Sequence, residues 1–426
     1  MPQTSPRPSA RPRTSRLIAL LALSLAAAPV ASAAAAPVAD APAAAPVADA
    51  RAAAPAEQAA SPSGNFLKLW SAEWMANHGA YTQEQAVALA SRVDYIAAMN
   101  RKFSGTTLAA MRAANPDLRL GVYRNATFGG KDLDESLYAR NASGGRIYAL
   151  DWPSTYLMKL DSPGWAASLA SSCRDMIAKS AYDDCYLDVL GSGPLTSVYL
   201  SSKPVNADGS LWTPTQWIAG SSKLATGTKS LLAGAGVTGN GIGHGGRYFS
   251  PTSSSAPLVA ATDQVAAEGF VRDAKASITA YRKEAEWKKD VDMLVAAEAA
   301  GKGMMTITKL WTSATAAQQD AWHEYTLATF LLGSGGKSLF YFLRDRTPNA
   351  SQMDHPFNLI DPGVPTGAYR LEGGVYTRDY TRALVLVNPT KLPATVPLTR
   401  SYVGMKGETV ATSVTLAPNT ARILRF

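Results

Sequence analysis

The sequence predicts an α/β protein, a (β/α)8 barrel followed by a small antiparallel β-domain. Three observations carry this. Short apolar runs alternate with amphipathic, cap-initiated segments between about residues 66 and 342, as βα units require. Eight such runs can be counted, the number that closes a parallel barrel. From about Leu371 the helical segments stop, and short alternating strands succeed one another at regular spacing.

The expected barrel strands are 66–72 (FLKLWSA), 93–98 (VDYIAA), 118–124 (LRLGVYR), 184–190 (DCYLDVL), 236–242 (GVTGNGI), 263–270 (DQVAAEGF), 303–310 (GMMTITKL) and 337–342 (KSLFYF). Helices are expected between them. Thr82 opens QEQAVALASR, with Gln85 placed for a capping box. Ser104 or Thr106 opens TLAAMRAAN, which Asn115-Pro116 stops. Ser162-Pro163 starts a helix to about Lys179, and Thr213-Pro214 starts another. One or two helices fill 274–300, and Thr315 opens the last, to about Leu332. An open doubly wound sheet would use the same units, but no glycine-rich phosphate loop follows the first strand. The closing strands of the β-domain are carried by GGVYTRDY, RALVLVNP, ATVPLT, ETVATSVT and NTARILRF.

Ahead of the barrel, Arg7, Arg11, Arg13 and Arg16 precede an apolar run from Leu17 to about Ala28, and Val30-Ala31-Ser32-Ala33 has the small-residue spacing of a cleavage site. This is the pattern of a secretory signal peptide, too short for a permanent span; a membrane anchor is the alternative. Residues 34–63 are almost wholly Ala, Pro, Val and Asp, which cannot build a core and reads as a disordered linker. The expected organisation is therefore signal peptide 1–33, linker 34–63, barrel 64–368 and C-terminal sandwich-like β-domain 369–426.

The net charge of +8 comes from 41 basic and 33 acidic residues, and four of the basic ones lie in the leader. No dense basic run remains, so nucleic-acid binding is not expected, nor is stable membrane insertion. The four histidines, at 78, 244, 323 and 355, lack metal-ligand spacing, so no metal and no cofactor is expected. The chain is expected to act as a monomer. Cys173 and Cys185 flank one helix–strand junction, and in an exported chain a pair suggests a disulfide. Two small buried thiols are the alternative.

In a (β/α)8 barrel the reactive groups stand at the C-terminal ends of the strands. Asp188 is a lone carboxylate within YLDVLG, and alternation that points it inward also points Tyr186 inward and turns Cys185 toward the helix carrying Cys173. Glu268 follows two alanines and precedes a glycine, leaving room for a ligand. These two carboxylates, on strands four and six, flank strand five. Such a pair can protonate a leaving oxygen and attack, or activate water against, an anomeric carbon. Glu73 is a third carboxylate at the mouth: a sugar ligand, an alternate acid, or the partner of a nearby arginine such as Arg124. Trp70, Tyr123, Asn125, Asn240, His244, Lys309 and Tyr341 are candidate substrate-positioning groups on the same strand ends. Trp74, Trp152, Trp212 and Trp311 also fall near mouth-side loops, where aromatic faces suit sugar stacking.

The stretch MKLDSPGWAASLASSCRDMIAKSAYDDCYLDVLG, with EGF at 268–270 and RALVLVNPT at 382–390, resembles the bacterial secreted glycoside hydrolases built on a TIM barrel. The similarity of pattern covers about 66–395. More distantly, the strand-four aspartate and strand-six acid are similar to the α-galactosidase and α-glucosidase clan, which implies Asp188 as nucleophile and Glu268 as acid/base. The clan generally has aspartate at the second position. The expected activity is thus a secreted, retaining glycosidase acting on a polysaccharide or oligosaccharide. A non-catalytic carbohydrate-binding or cell-surface protein on the same scaffold is the competing reading.

Overall fold

The computed structural model describes residues 65–73, 81–98, 103–180, 182–195, 199–241, 253–344 and 350–426. The leader and linker expected over 1–63 lie outside the described residues. Met1–Ala56 and Glu57–Phe426 separate as two units, and every described residue belongs to the second.

Eight parallel strands close a barrel: β1 (Lys68–Ala72), β2 (Tyr95–Ala98), β3 (Arg119–Asn125), β4 (Asp184–Asp188), β5 (Gly236–Asn240), β6 (Gln264–Glu268), β7 (Gly303–Lys309) and β8 (Leu339–Leu343). Each pairs with its neighbours in sequence, and β1 closes on β8 through Lys68↔Leu339 and Leu69↔Phe340. All eight overlap the strands expected from the sequence.

The helices begin where their capping residues direct. In α1 (Gln83–Ala90), Thr82 and Gln85 form the capping box. Ser104, rather than Thr106, caps α2 (Gly105–Ala114). After α3 (Pro163–Ser180), capping boxes of Thr213 with Gln216 and of Thr315 with Gln318 open α4 (Pro214–Ser230) and α7 (Ala316–Gly333). Each cap satisfies backbone N–H groups that the helix itself leaves unbonded. A short α5 (Ala256–Ala261) precedes β6. The helix expected from 274 starts only at α6 (Glu284–Ala299). Residues before it turn instead around Arg282, which bonds Gly269 O at 2.6 Å and pairs with the buried Asp290. A side-chain anchor here overrides the local helical pattern.

The interior of the barrel is layered. At its N-terminal end, Asp184 is buried and accepts from Tyr95 Oη (2.6 Å) and Arg119 Nη2 (2.6 Å). Tyr95 crosses directly over Gly121, where an added Cβ would lie 1.9 Å from the phenol oxygen and 2.8 Å from Asp184 Oδ1. Glycine at 121 is therefore set by close approach, not by backbone conformation. Gly121→Ala should lower stability by about 3 kcal/mol, as overpacking plus loss of the phenol–carboxylate bond, measured as a fall in the urea midpoint at unchanged slope. A loss below 0.5 kcal/mol, on the order of an ordinary surface change, would contradict this packing.

Between β3 and α3 the chain leaves the barrel in an excursion not expected from the sequence. Residues 128–129, 152–157 and 148–149 pair as a small antiparallel sheet. Leu150 N–H donates to Tyr199 O (3.1 Å) and Ser201 N–H to Tyr148 O (3.0 Å), which adds the segment after β4 to its edge.

After the barrel, β9 (Arg370–Glu372), β10 (Val375–Asp379), β11 (Ala383–Asn388), β12 (Ala394–Pro397), β13 (Tyr402–Val403), β14 (Thr409–Val410), β15 (Ser413–Leu416) and β16 (Thr420–Arg425) form two antiparallel sheets, in the orders β9-β10-β11-β16-β13-β14 and β12-β15. A small core of Val375, Leu386, Leu416 and Leu424 lies within them. The larger sheet also packs on α7, which explains why α7 is buried almost all round. Arg378 Nη1 reaches the carbonyls of Leu331 and Leu332 in the last turn of α7 (2.9 Å each) and of Ser334 just after it (2.7 Å). It serves as the C-terminal cap of that helix.

Candidate active site

Three adjacent strands end on the side chains that form the site. Asp188, Asn240 and Glu268 are the last residues of β4, β5 and β6. Each is followed by a left-handed residue: Val189 (φ 65°), Gly241 (φ 73°) and Gly269 (φ 76°). These breaks end the strands two residues short of the expected 190, 242 and 270. Glycine adopts such a φ freely, but valine does so at a cost of about 1–3 kcal/mol. Val189 is held there by Thr127, whose hydroxyl donates to Val189 O, and by Leu190 N–H, which donates to Asn240 O at 3.0 Å.

The amide of Asn240 joins the two carboxylates. Its Nδ2 donates to Asp188 Oδ1 (2.7 Å) and to Glu268 Oε1 (2.8 Å). Asn240 Oδ1 is buried without a hydrogen-bond partner among the described residues. Asp188 also accepts from Tyr123 Oη (2.8 Å, at Oδ2) and from the Val189 N–H (2.8 Å, at Oδ1). Glu268 Oε2 pairs with Lys309 Nζ, which lies 4.8 Å from the centre of the Trp311 ring. Beneath the carboxylates the barrel is aromatic: Tyr186 stacks on Tyr123 and on Trp70 (both 6.3 Å between centroids), and Tyr341 meets Trp70 edge-on at 5.8 Å.

This setting splits the two acids. Burial, then the neighbouring Glu268 charge, pushes Asp188 up from 3.8 to about 6, against the pull of its three donors. Burial acts on Glu268 in the same sense, but the Lys309 ammonium and the bonds from Lys309 and Asn240 outweigh it and hold Glu268 below its usual value. One proton shared by the pair therefore rests on Asp188. Tyr123 is pushed up by burial and by the Asp188 charge, so it stays a hydroxyl donor.

The other expected site residues sit in several different settings. Glu73 is fully buried and accepts from the hydroxyls of Ser71 and Tyr81. Arg124 is not its partner: that guanidinium turns to α3 and donates to Ser172 Oγ and O. Asn125 uses Oδ1 to accept from Thr127 N (3.1 Å) and Phe128 N (2.9 Å), shaping the turn into the excursion. Trp70 and Tyr341 are enclosed in the barrel, with Trp70 Nε1 donating to Thr306 O at 2.8 Å, so neither is presented at the mouth. His244 and Trp74 lie outside the described residues. Trp212 is packed edge-on against Trp217, lining a pocket of about 320 Å³ beside the excursion. Cys173 of α3 and Cys185 of β4 are joined as a disulfide with Cα atoms 5.7 Å apart. Among the described residues, no group of three or more His, Cys, Asp or Glu side chains converges as a metal site. No described helix is long and apolar enough to cross a membrane.

Tyr199 was not legible as a site residue. It lies in the loop after β4, away from any strand end, yet Asp188 and Glu268 both help push its phenol up to about 12, after burial itself.

Residues 113–384 match the model of hypothetical glycosyl hydrolase family 15 (GHL15). The chain belongs to that family. Membership supports hydrolysis of glycosidic bonds as its general activity. Among solved structures, an α-amylase from Malbranchea cinnamomea is similar at 8% identity and a TM-score of 0.50, over 86% of this chain and 97% of that one. The glycoside hydrolase domain of PelA from Pseudomonas aeruginosa is similar at 16% identity and a TM-score of 0.43, over 66% and 96%. A GH36 α-galactosidase from Geobacillus stearothermophilus is similar at 8% identity and 0.44, over 84% and 55%. At 8% identity, what the chain shares with the α-amylase is the barrel fold. Among curated proteins none matches the chain.

Proposed function

We propose that this GHL15 member is an exported glycosidase that cleaves O-glycosidic bonds of a polysaccharide or oligosaccharide with retention of configuration, using Asp188 and Glu268. The observation that carries this reading is the single Asn240 amide that bonds both carboxylates. Those contacts keep the two bonded oxygens within about 5.5 Å of each other, which supports the short carboxyl spacing of double displacement over the wider spacing of an inverting mechanism.

In the first step the acid gives its proton to the glycosidic oxygen as the other carboxylate attacks the anomeric carbon. The C–O bond to the leaving sugar breaks and a glycosyl ester forms. In the second step the former acid takes a proton from water, whose oxygen attacks the same carbon and frees the ester carboxylate. The clan resemblance assigns attack to Asp188, and its orientation, fixed by three donors, suits that role. The resting proton is on Asp188, so the reactive form, with the proton on Glu268, is the minor one. The N-terminal pattern and the disulfide support export. No cofactor is invoked, and the working unit is taken as a monomer.

The test is hydrolysis of a panel of α- and β-aryl glycosides and soluble polysaccharides, with the anomer of the first-formed product read by proton NMR. The expected result is cleavage with the substrate's configuration kept. Glycan binding without any product would overturn the enzymatic reading, and an inverted product would overturn double displacement.

A further inference from the structure

Among the tryptophans that the described residues include, Trp152 is the one strongly exposed: 49% of its surface is open. It stands on the long strand of the excursion, and its neighbours Tyr148 and Leu150 are also exposed, at 40% and 45%. Trp152 meets Tyr199 edge-on, with ring centres 6.0 Å apart, and Tyr199 stacks on Phe128 at 6.1 Å. This group is tied by backbone to the catalytic strand ends. Phe128 N–H is held by Asn125, Ala126 N–H donates to Asp188 O at 2.9 Å, and Thr127 bonds Val189 O. The aromatic group is thus anchored to the chain leaving β3 and held in register with the end of β4. Tyr199 itself lies within the electrostatic reach of both carboxylates.

A protein gains nothing for its own stability by leaving the Trp152 indole and the Tyr148 phenol in water. An aromatic face beside a polar cleft does fit the apolar face of a sugar ring, with hydroxyls left to bond at its edge. We propose that Trp152 and Tyr199 form a sugar-stacking subsite beside the cleavage position, so that the substrate is a glycan chain running from the carboxylate pair over the excursion rather than a single terminal sugar. This rests on the glycosidase reading above and adds to it the residues that hold the chain beside the cleavage position.

The test measures binding, so that turnover does not enter. The full chain carrying Glu268→Gln is run in native gels cast with soluble starch, galactomannan, xyloglucan, arabinogalactan or chitosan, and with the short oligosaccharides of whichever polymer retards it. Adding Trp152→Ala should weaken retention about tenfold, the equivalent of one lost aromatic contact, and Trp152→Phe should recover most of it. An unchanged melting temperature shows that the fold is intact. Equal retention of the Ala variant, or equal affinity for monosaccharide and chain, would overturn the subsite, as would retardation by none of the polymers. Failure of the glycosidase reading has a different signature: retardation that depends on Trp152, with no cleavage by the protein lacking Glu268→Gln.

Discussion

Asp188→Asn and Glu268→Gln are each expected to lower kcat by about 10³-fold on unactivated substrates, the scale of a lost acid, base or nucleophile. The fold should not suffer. Asparagine at 188 can keep Oδ1 toward Asn240 and the Val189 N–H and place its own NH2 where Tyr123 now donates, because a tyrosyl hydroxyl can turn and accept. Thermal unfolding of the variants at wild-type temperature would show the loss to be chemical. Azide then separates the roles. With an aryl glycoside that needs no protonation, Glu268→Gln should still form the glycosyl ester, and azide should release it as a glycosyl azide of retained configuration. With Asp188→Gly, azide can occupy the vacated space and attack directly, giving the inverted azide. The opposite pattern would assign attack to Glu268, the acid that is ionised at rest. Full activity in either variant would remove the pair from the mechanism.

The barrel and the carboxylate pair were legible for the same reason: both depend on strand periodicity, which the sequence states openly. A parallel strand buried on both faces reads as an apolar run, so a lone Asp188 inside YLDVLG marks the strand's end as well as a candidate for the site. The same alternation placed Tyr186 inside and Cys185 against α3. What could not be read was anything decided by tertiary geometry. The left-handed turn at Val189 is imposed by Thr127, in the turn after β3, and by Asn240 of β5, and valine gives no hint of it. Asn125 looks like a ligand in sequence and is a turn former in space. Trp70 looks like a stacking platform, yet it fills the barrel interior. Its indole N–H is satisfied by Thr306 O, far away in sequence. Two of the three strands in the excursion that carries Trp152 have only two residues, too short for a periodic signal.

Raising the pH above about 6 should depress kcat/KM, and the acidic limb should fall below the usual glutamate range. The working form of the pair carries one proton. Asp188 is the group that holds it at rest, with a value pushed up to about 6 by burial and by the Glu268 charge, so that proton is lost as pH rises through that value. At the acid end activity fails when Glu268 also takes a proton, which the Lys309 ammonium delays. The limbs belong to the pair, so the bell has the same edges whichever carboxylate attacks. Lys309→Met tests the cause. Without the ammonium, Glu268 is a buried acid with only an amide donor, and taking up a proton costs less than remaining unpaired. The acidic limb should therefore climb, narrowing the bell from below. Lys309→Arg keeps the charge and should leave that limb near its wild-type position, whatever it costs in geometry. A lower limb that stays put in Lys309→Met would show that Lys309 positions Glu268 without setting its charge.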